Sequence, residues 1–183
     1  MSVYPDIPGD ENGGRTTPGL PYMQRVDIEA MAEVLEEREP ARVLEYGAGA
    51  STTYWPQRYP FIKLWVAVEH QPQWAISVAE KHVPNVMVIL SGNDSIETYV
   101  DPPETLVPFD MIIVDGVLRK ECIEASPRWL APGGVVLLHD ADRPGMDRFE
   151  ETYPHFAYLT HGHFPAKNGG MQSDGLMMMW GDE

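Results

Sequence analysis

The chain has one cysteine, few basic residues and no long apolar run. Because Cys122 stands alone among 183 residues, an intramolecular disulfide and a cysteine-based zinc site are both excluded. No segment approaches the roughly 18 apolar residues of a membrane span, and residues 1–12 lack the basic and apolar regions of a signal peptide. These absences predict a cytoplasmic protein that makes no contact with a membrane.

The shortage of basic residues also bears on partners. Lys and Arg number 13 against 28 Asp and Glu, which leaves a formal net charge of -15. An acidic surface repels phosphate backbones, so the composition does not favour a nucleic acid, although a local basic patch stays open as an alternative. A small molecule is the expected partner, and the oligomeric state is left open.

Proline and glycine are concentrated at the beginning of the chain. Four prolines and four glycines fall within the first 21 residues, which is typical of irregular structure. The remainder, with a hydrophobic content of 43% for the whole chain, has the length and balance of one globular domain. We therefore predict an irregular arm over residues 1–22 and a single domain over residues 23–183.

Apolar runs and amphipathic segments alternate through that domain. The patterns predict strands at 42–46, 62–69, 85–90, 109–115 and 135–139, and helices at 24–38, 51–59, 72–82, 94–99, 117–130 and 143–153. Continuously apolar strands that each precede a helix indicate a parallel sheet covered on both faces. Two further strands, 156–160 and 176–180, are joined by a loop at 161–175. The predicted fold is α/β, a doubly wound, mostly parallel, seven-stranded Rossmann-like sheet with an antiparallel C-terminal hairpin.

A glycine turn follows the first predicted strand. Open parallel sheets bind ligands beyond the carboxyl ends of their strands, and Gly47 and Gly49 would let the backbone approach a ligand there. A dinucleotide fingerprint would place a third glycine where Thr52 stands. Glu45, two residues before the first glycine, suits a cationic amino group better than a pyrophosphate. A plain strand-to-helix turn capped by Ser51 or Thr52 is the alternative.

Polar residues end the next two strands as well. Glu69 lies 20 positions after Gly49, where a carboxylate can accept the hydroxyls of a ribose. Asn93 or Asp94 could bond an adenine amino group, and the alternative for this segment is a turn with Asp94 capping a helix. For Glu69 alone, a solvated carboxylate at a strand end is the alternative.

Two later strands end in carboxylates. Asp115 follows a wholly apolar run and needs a donor, a cation or a metal as its partner. Asp140, after His139, could face it across a shared ion or substrate, and oxygen ligands would favour magnesium or calcium. The alternative is that Asp140 or Asp142 caps the next helix and pairs with Arg143.

Together these motifs resemble those of class I S-adenosylmethionine-dependent methyltransferases, over residues 23–183. The chain is most similar to a bacterial subgroup with the pattern E-Y-G-x-G-x-S-T, then V-D-G-x-x-R-x-x-C, which includes Arg119 and Cys122, then P-G-G and H-D. The resemblance implies that Glu45 holds the methionine amino group, Glu69 the ribose and Asn93 with Asp94 the adenine. The other implied cofactor-binding residues are Tyr46, Gly47, Ala48, Gly49, Ser51, Thr52, His70, Trp74 and Asp115.

The implied activity is methyl transfer from S-adenosylmethionine to an oxygen or nitrogen of a small molecule. Asp115, His139 or Asp140 would receive the acceptor proton. The metal-dependent catechol-type O-methyltransferases are distantly similar, but Ala141 stands where they have an asparagine ligand and their lysine has no clean counterpart. A divalent metal such as magnesium is therefore not favoured. A non-catalytic nucleoside-binding domain, an NAD-dependent oxidoreductase and an aminopropyl transferase are the alternatives.

Overall fold

A seven-stranded sheet forms the centre of the computed structural model, which describes residues 19–91, 96–146, 149, 151–165, 171–173 and 175–182. Its strand order is β3-β2-β1-β4-β5-β9-β6. The first five strands along this order pair in parallel, and β9 pairs antiparallel with both β5 and β6. The strands are β1 Arg42–Tyr46, β2 Leu64–Glu69, β3 Val86–Leu90, β4 Phe109–Val114, β5 Leu130–His139, β6 His155–Tyr158 and β9 Leu176–Trp180.

Helices cover both faces of this sheet. Side chains of α1, α2 and α3 pack with one face, and those of α4 and α5 pack with the other. None of the helices in the described part of the chain has the length and apolar character needed to cross a lipid bilayer. The helices are α1 Arg25–Arg38, α2 Ala50–Arg58, α3 Pro72–Ala79, α4 Ile96–Val100 and α5 Arg119–Ala125.

Burial on both faces explains the apolar strand sequences. In β4 every residue except Asp110 is apolar and fully buried. Each such aliphatic side chain contributes about 1.5–3 kcal/mol when it leaves water. Asp110 has a separate role, because its Oδ2 accepts the backbone N–H groups of Ala41 and Arg42, each at 2.9 Å. The predicted fold class and all seven predicted strands of the sheet are confirmed.

The prediction of a loop over residues 161–175 is partly wrong. It contains a small second sheet, in which β7 (His163–Pro165) pairs antiparallel with β8 (Met171–Ser173). β6 and β9 are neighbours in the main sheet as predicted, with His155 opposite Trp180. The connection between them therefore has strands of its own.

The helix predicted at 117–130 is too long. α5 ends at Ala125, and a 3-10 helix, Ser126–Arg128, replaces its last turn. Pro127 has no N–H to continue an α-helical ladder, which accounts for the change. Strand β5 then begins at Leu130, opposite Phe109, and residues 131–134 form an irregularity before Val135 pairs with Met111.

The helix predicted at 143–153 is absent from the described residues of that segment. Residues 143–146 form turns, and Gly145 has a φ of 88°, a left-handed conformation that ends a helix. Phe149 and Tyr153 are nevertheless buried against the sheet. The Tyr153 N–H donates to the Phe149 carbonyl at 2.7 Å, so these two residues share a single turn.

Two glycines meet where the carboxyl ends of β1 and β4 lie side by side. Gly47 has a φ of 97°, and a Cβ on it would lie 2.6 Å from the Cα of Gly116. A Cβ on Gly116 would lie 2.9 Å from the amide nitrogen of Gly47 and would collide with the Tyr99 hydroxyl. The two backbones therefore touch at a place where neither residue can carry a side chain.

We expect Gly116→Ala to lower the free energy of unfolding by about 1–3 kcal/mol, because the added methyl group meets backbone and a buried ring that cannot yield. Urea unfolding followed by circular dichroism measures this. Gly181→Ala is the matched control, since a Cβ there has no heavy atom within 4 Å. Equal stability of the two variants would contradict the close contact.

Candidate functional site

A cavity of about 770 Å³ lies at the carboxyl ends of β1, β2 and β4. Its walls come from the segment before α1, from residues 47–51, from the end of β2 with α3, and from residues 115–117. The sheet order reverses between β1 and β4, and this is where open α/β sheets bind ligands. The volume lies within the usual range of small-molecule sites.

The glycine turn forms the floor of this cavity. Its three consecutive N–H groups are all used inside the protein: Gly47 donates to the Val68 carbonyl at 2.9 Å, and Ala48 to Glu69 Oε2 at 3.1 Å. Gly49 donates to Thr52 Oγ1 at 2.7 Å. The turn therefore does not offer these amides to an anion, in contrast to a phosphate-binding glycine loop.

Glu45 lies behind the turn and does not line the cavity. Its buried carboxylate accepts hydrogen bonds from the Ser51 hydroxyl, from Thr52 Oγ1 at 2.6 Å and from Trp65 Nε1 at 2.8 Å. Burial raises the pKa of Glu45 to about 7, against the opposing effect of these three donors. The sequence predicted that Glu45 holds a methionine amino group, but protein donors already occupy its carboxylate.

Tyr46 and Thr52 also lie outside the cavity lining. The Tyr46 hydroxyl donates to the Val100 carbonyl at 2.6 Å on the other face of the sheet. Burial raises the pKa of this phenol far above its usual value. Of the residues predicted in this motif, Gly47, Ala48, Gly49 and Ser51 reach the cavity.

Glu69 places a carboxylate in the cavity wall. Its Oε1 accepts the backbone N–H groups of His70 and Gln71, each at 2.8 Å, and the His70 Nδ1 lies 3.0 Å away. The residue is 4% exposed. Because several backbone groups orient it, Glu69 presents a fixed acceptor at the end of β2.

Trp74, in the first turn of α3, lies over the glycine turn. Its indole Nε1 donates to the carbonyl of Ala48, and the residue is 53% exposed. Further along α3 the cavity wall continues through Ser77, Val78 and Lys81. The segment 92–95, which includes the predicted adenine contacts Asn93 and Asp94, lies outside the described residues, as does the arm up to residue 18.

Asp115 is the second carboxylate in the cavity wall. Its Oδ1 lies 2.8 Å from His139 Nδ1 and 3.1 Å from Arg119 Nη2. Burial opposes ionisation of Asp115, but the charge and hydrogen bond of His139, with the charge of Arg119, outweigh it and lower its pKa. Asp115 is therefore held as an anion.

His139 is buried behind Asp115. Burial alone would lower its pKa, but the Asp115 carboxylate, with Asp27 and Asp140, raises the pKa of His139 to about 10. Its Nε2 lies 3.5 Å from Asp27 Oδ2. A protonated imidazole with carboxylates on both sides is stable near neutral pH, and it cannot accept a further proton.

Asp27 and Trp65 contact the site residues His139 and Glu45, and neither was predicted as a site residue from the sequence. Asp27 is 1% exposed, and its Oδ1 accepts a hydrogen bond from the Thr160 hydroxyl. The signal was present in α1, because Asp27 lies four residues before the buried Met31 on the same helix face, whereas Val26 is half exposed. A carboxylate within the apolar stripe of a helix indicates a buried partner.

The three predicted catalytic residues lie close together, and their side chains offer atoms of the kind that bind metal ions. Ligand-type atoms of Asp115, His139 and Asp140 lie within 4.8 Å of one another. Arg119, however, lies 2.9 Å from Asp140 Oδ2 as well as 3.1 Å from Asp115 Oδ1. As arranged, these residues do not fit a divalent ion, because protein cations already face both carboxylates.

Structural comparison finds the same fold in solved enzymes. The O-methyltransferase TomG from Streptomyces achromogenes, solved with S-adenosylmethionine, is 21% identical with a TM-score of 0.62, over 86% of this chain and 80% of its own. The two chains share a Rossmann-like fold. The N-methyltransferase NodS from Bradyrhizobium japonicum is 14% identical with a TM-score of 0.61, over 85% and 93% of the two chains.

The same comparison includes an enzyme of another kind. Spermidine synthase from Thermotoga maritima is 18% identical with a TM-score of 0.54, over 77% of this chain and 53% of its own. No family model and no curated protein matches the sequence. At these identities the likeness concerns the fold, so the chemistry has to be argued from the site.

The His139 environment makes stability depend on pH. Its pKa of about 10 in the folded protein exceeds the ordinary value of 6.5, so its contribution is complete below about pH 6.5 and is lost as the pH rises towards 10. We expect the urea midpoint of the wild type to fall between about pH 7 and pH 9.5.

Asp115→Asn removes the main group that raises this pKa, so its midpoint should fall less over the same range. Asp101→Asn is the control, since Asp101 pairs with Arg128 at the surface and should leave the wild-type pH dependence intact. Parallel curves for Asp115→Asn and the wild type would show that the Asp115 carboxylate does not raise the pKa of His139.

Proposed function

We propose that this protein is an S-adenosylmethionine-dependent methyltransferase acting on an oxygen or nitrogen of a small molecule. The observation that carries the proposal is one cavity with the buried Glu69 carboxylate on one side and the anionic Asp115 on the other, above a glycine floor. The fold shared with TomG and NodS supports the same conclusion.

Glu69 would receive the ribose hydroxyls. Its Oε2 carries one described protein donor, the Ala48 amide, which leaves acceptor capacity toward the cavity. His70 and Trp74 flank it and offer flat surfaces beside the nucleoside. Asn93 and Asp94 remain the predicted partners of the adenine.

The methionine end would lie over Gly47 and beside Asp115. Both its amino group and its sulfonium are positively charged, and the Asp115 carboxylate is the acidic group that lines that end of the cavity. Glu45 has a supporting role in this proposal. By holding Ser51 and Thr52 it fixes the turn, and its pKa of about 7 makes it a poor fixed anion.

The transfer itself is a displacement in a line through acceptor, methyl carbon and sulfur. S-adenosylmethionine supplies the methyl group: its methyl–sulfur bond breaks with the electron pair going to sulfur, and an acceptor lone pair forms the new bond. The protein's part is to hold the partners aligned and to exclude water. The acceptor proton becomes acidic as the new bond forms, and Asp115 would receive it during the transfer, directly or through water.

In this proposal Asp115 is the catalytic residue, and His139 and Asp140 position it. Both are nearly inaccessible, at 2% and 3% exposure, and neither lines the cavity. His139 orients Asp115 and keeps it ionised, while Asp140 holds Arg119 against it.

Aminopropyl transfer is the second candidate, and the fold shared with spermidine synthase favours it. Calorimetry distinguishes the two, since one enzyme should bind S-adenosylmethionine and the other its decarboxylated form. An NAD-dependent enzyme is disfavoured, because the turn amides that would meet a pyrophosphate are bonded within the protein.

Glu69→Gln should weaken S-adenosylmethionine binding about 10- to 150-fold, since a hydrogen bond to a charged group is worth about 1.5–3 kcal/mol. Isothermal titration calorimetry measures the change. Glu80→Gln is the matched control, because Glu80 follows the last residue of α3 and lies outside the cavity lining. Unchanged affinity in a folded Glu69→Gln protein would remove Glu69 from the ribose site.

Asp115→Asn should lower the rate of S-adenosylhomocysteine formation by about 100-fold or more, as expected for loss of a general base. The assay supplies methyl-labelled S-adenosylmethionine and the small-molecule fraction of a cell extract, and the labelled product identifies the acceptor. Asp101→Asn serves as control. Binding without any labelled product would instead favour the non-catalytic alternative.

A further inference from the structure

Arg119 makes an unusually complete set of contacts between the ends of β4 and β5. Its Nε donates to the Gly116 carbonyl at 3.0 Å, and Nη2 to the carbonyl and the Oδ1 of Asp115 at 3.2 and 3.1 Å. Its Nη1 donates to the His139 carbonyl and lies 2.9 Å from Asp140 Oδ2. The side chain is only 10% exposed.

The backbone around α5 is arranged for this contact. Leu118, immediately before α5, has a φ of 51°, a conformation that a leucine adopts only when its surroundings impose it. Arg119 then begins the helix and reaches back to residues three and four positions earlier. The guanidinium is therefore held by the turn as well as by the carboxylates.

Charges in this cluster balance without any added ion. Asp140 Oδ2 also lies 2.5 Å from Arg143 Nη2, so both site carboxylates face protein cations. Among the described residues, three carboxylates oppose three cations, namely Asp27, Asp115 and Asp140 against Arg119, His139 and Arg143.

A divalent ion would compete for the same oxygens. Magnesium and manganese need about six ligands, mostly oxygens, at short distances, which requires that the carboxylates face the ion. Here Asp115 Oδ1 faces His139 and Arg119, and Asp140 Oδ2 faces Arg119 and Arg143. An ion would have to expel the guanidinium and would leave the buried cluster with excess positive charge.

We propose that Arg119 is the permanent cation of this centre and occupies the place that a divalent metal ion would take between Asp115 and Asp140. The native centre binds no divalent ion, and removal of the guanidinium converts the carboxylate pair into a cation site. Arg119 is thus a positioning residue that keeps Asp115 in place independently of metal supply. This inference does not depend on which group the enzyme transfers.

Manganese binding followed by electron paramagnetic resonance tests the proposal directly. The wild type should bind no Mn²⁺ at this centre at about 1 mM, whereas Arg119→Ala should bind one ion with a dissociation constant of about 1 mM or lower. Asp140→Asn added to Arg119→Ala should abolish that binding. Arg128→Ala, which removes the arginine of a surface ion pair with Asp101, should gain no Mn²⁺ site.

Two results would overturn the proposal. One is Mn²⁺ bound by the wild type and released by Asp140→Asn, a measurement that needs no Arg119 variant to fold. The other is a folded Arg119→Ala protein, checked by circular dichroism, that binds no Mn²⁺. Arg119→Met, which keeps the aliphatic stem without the charge, repeats the test if the alanine variant does not fold. Failure of methyl transfer would leave both readouts unaffected.

Discussion

The contact between Gly47 and Gly116 is the constraint on which the site depends. Strands β1 and β4 are neighbours at the point where the sheet order reverses, and Asp115 donates its N–H to the Tyr46 carbonyl at 3.0 Å. Because neither glycine has a Cβ, the backbones of the two loops touch where they follow β1 and β4. The cavity floor is therefore backbone alone, and the carboxylates of Glu69 and Asp115 lie on its two sides. A side chain at either glycine would collide with the backbone of the other loop.

Much of the fold was predictable because the sheet is buried on both faces. Burial forces strands such as β4 to be continuously apolar, and each such run could be located from its composition alone. Strand ends were equally clear, since Glu69 and Asp115 each follow directly on apolar residues. Parallel strands bring their carboxyl ends to one edge, so the convergence of the polar residues there followed from the topology.

The errors arose where tertiary contacts override local pattern. Phe149 and Tyr153 are spaced as on a helix, yet they anchor turns, and Pro127 shortens α5 through its missing N–H. Within the site, spacing indicated that Glu45 was near the turn but not that three donors would consume its carboxylate. Long-range partners are harder still. Nothing near Asp27 in the sequence indicates that it meets His139, which is more than 100 residues away.

Both backbone polar groups of Ala48 are bonded: its N–H donates to Glu69, and its carbonyl accepts from the Trp74 indole. With the amides of Gly47 and Gly49 also bonded, the turn has little freedom left before any ligand arrives. Its conformational entropy is lost during folding and not during association, so a ligand meets a preorganised floor. Selectivity at this end of the cavity then rests on shape: a molecule that needs the turn to move must break internal hydrogen bonds before it gains any of its own.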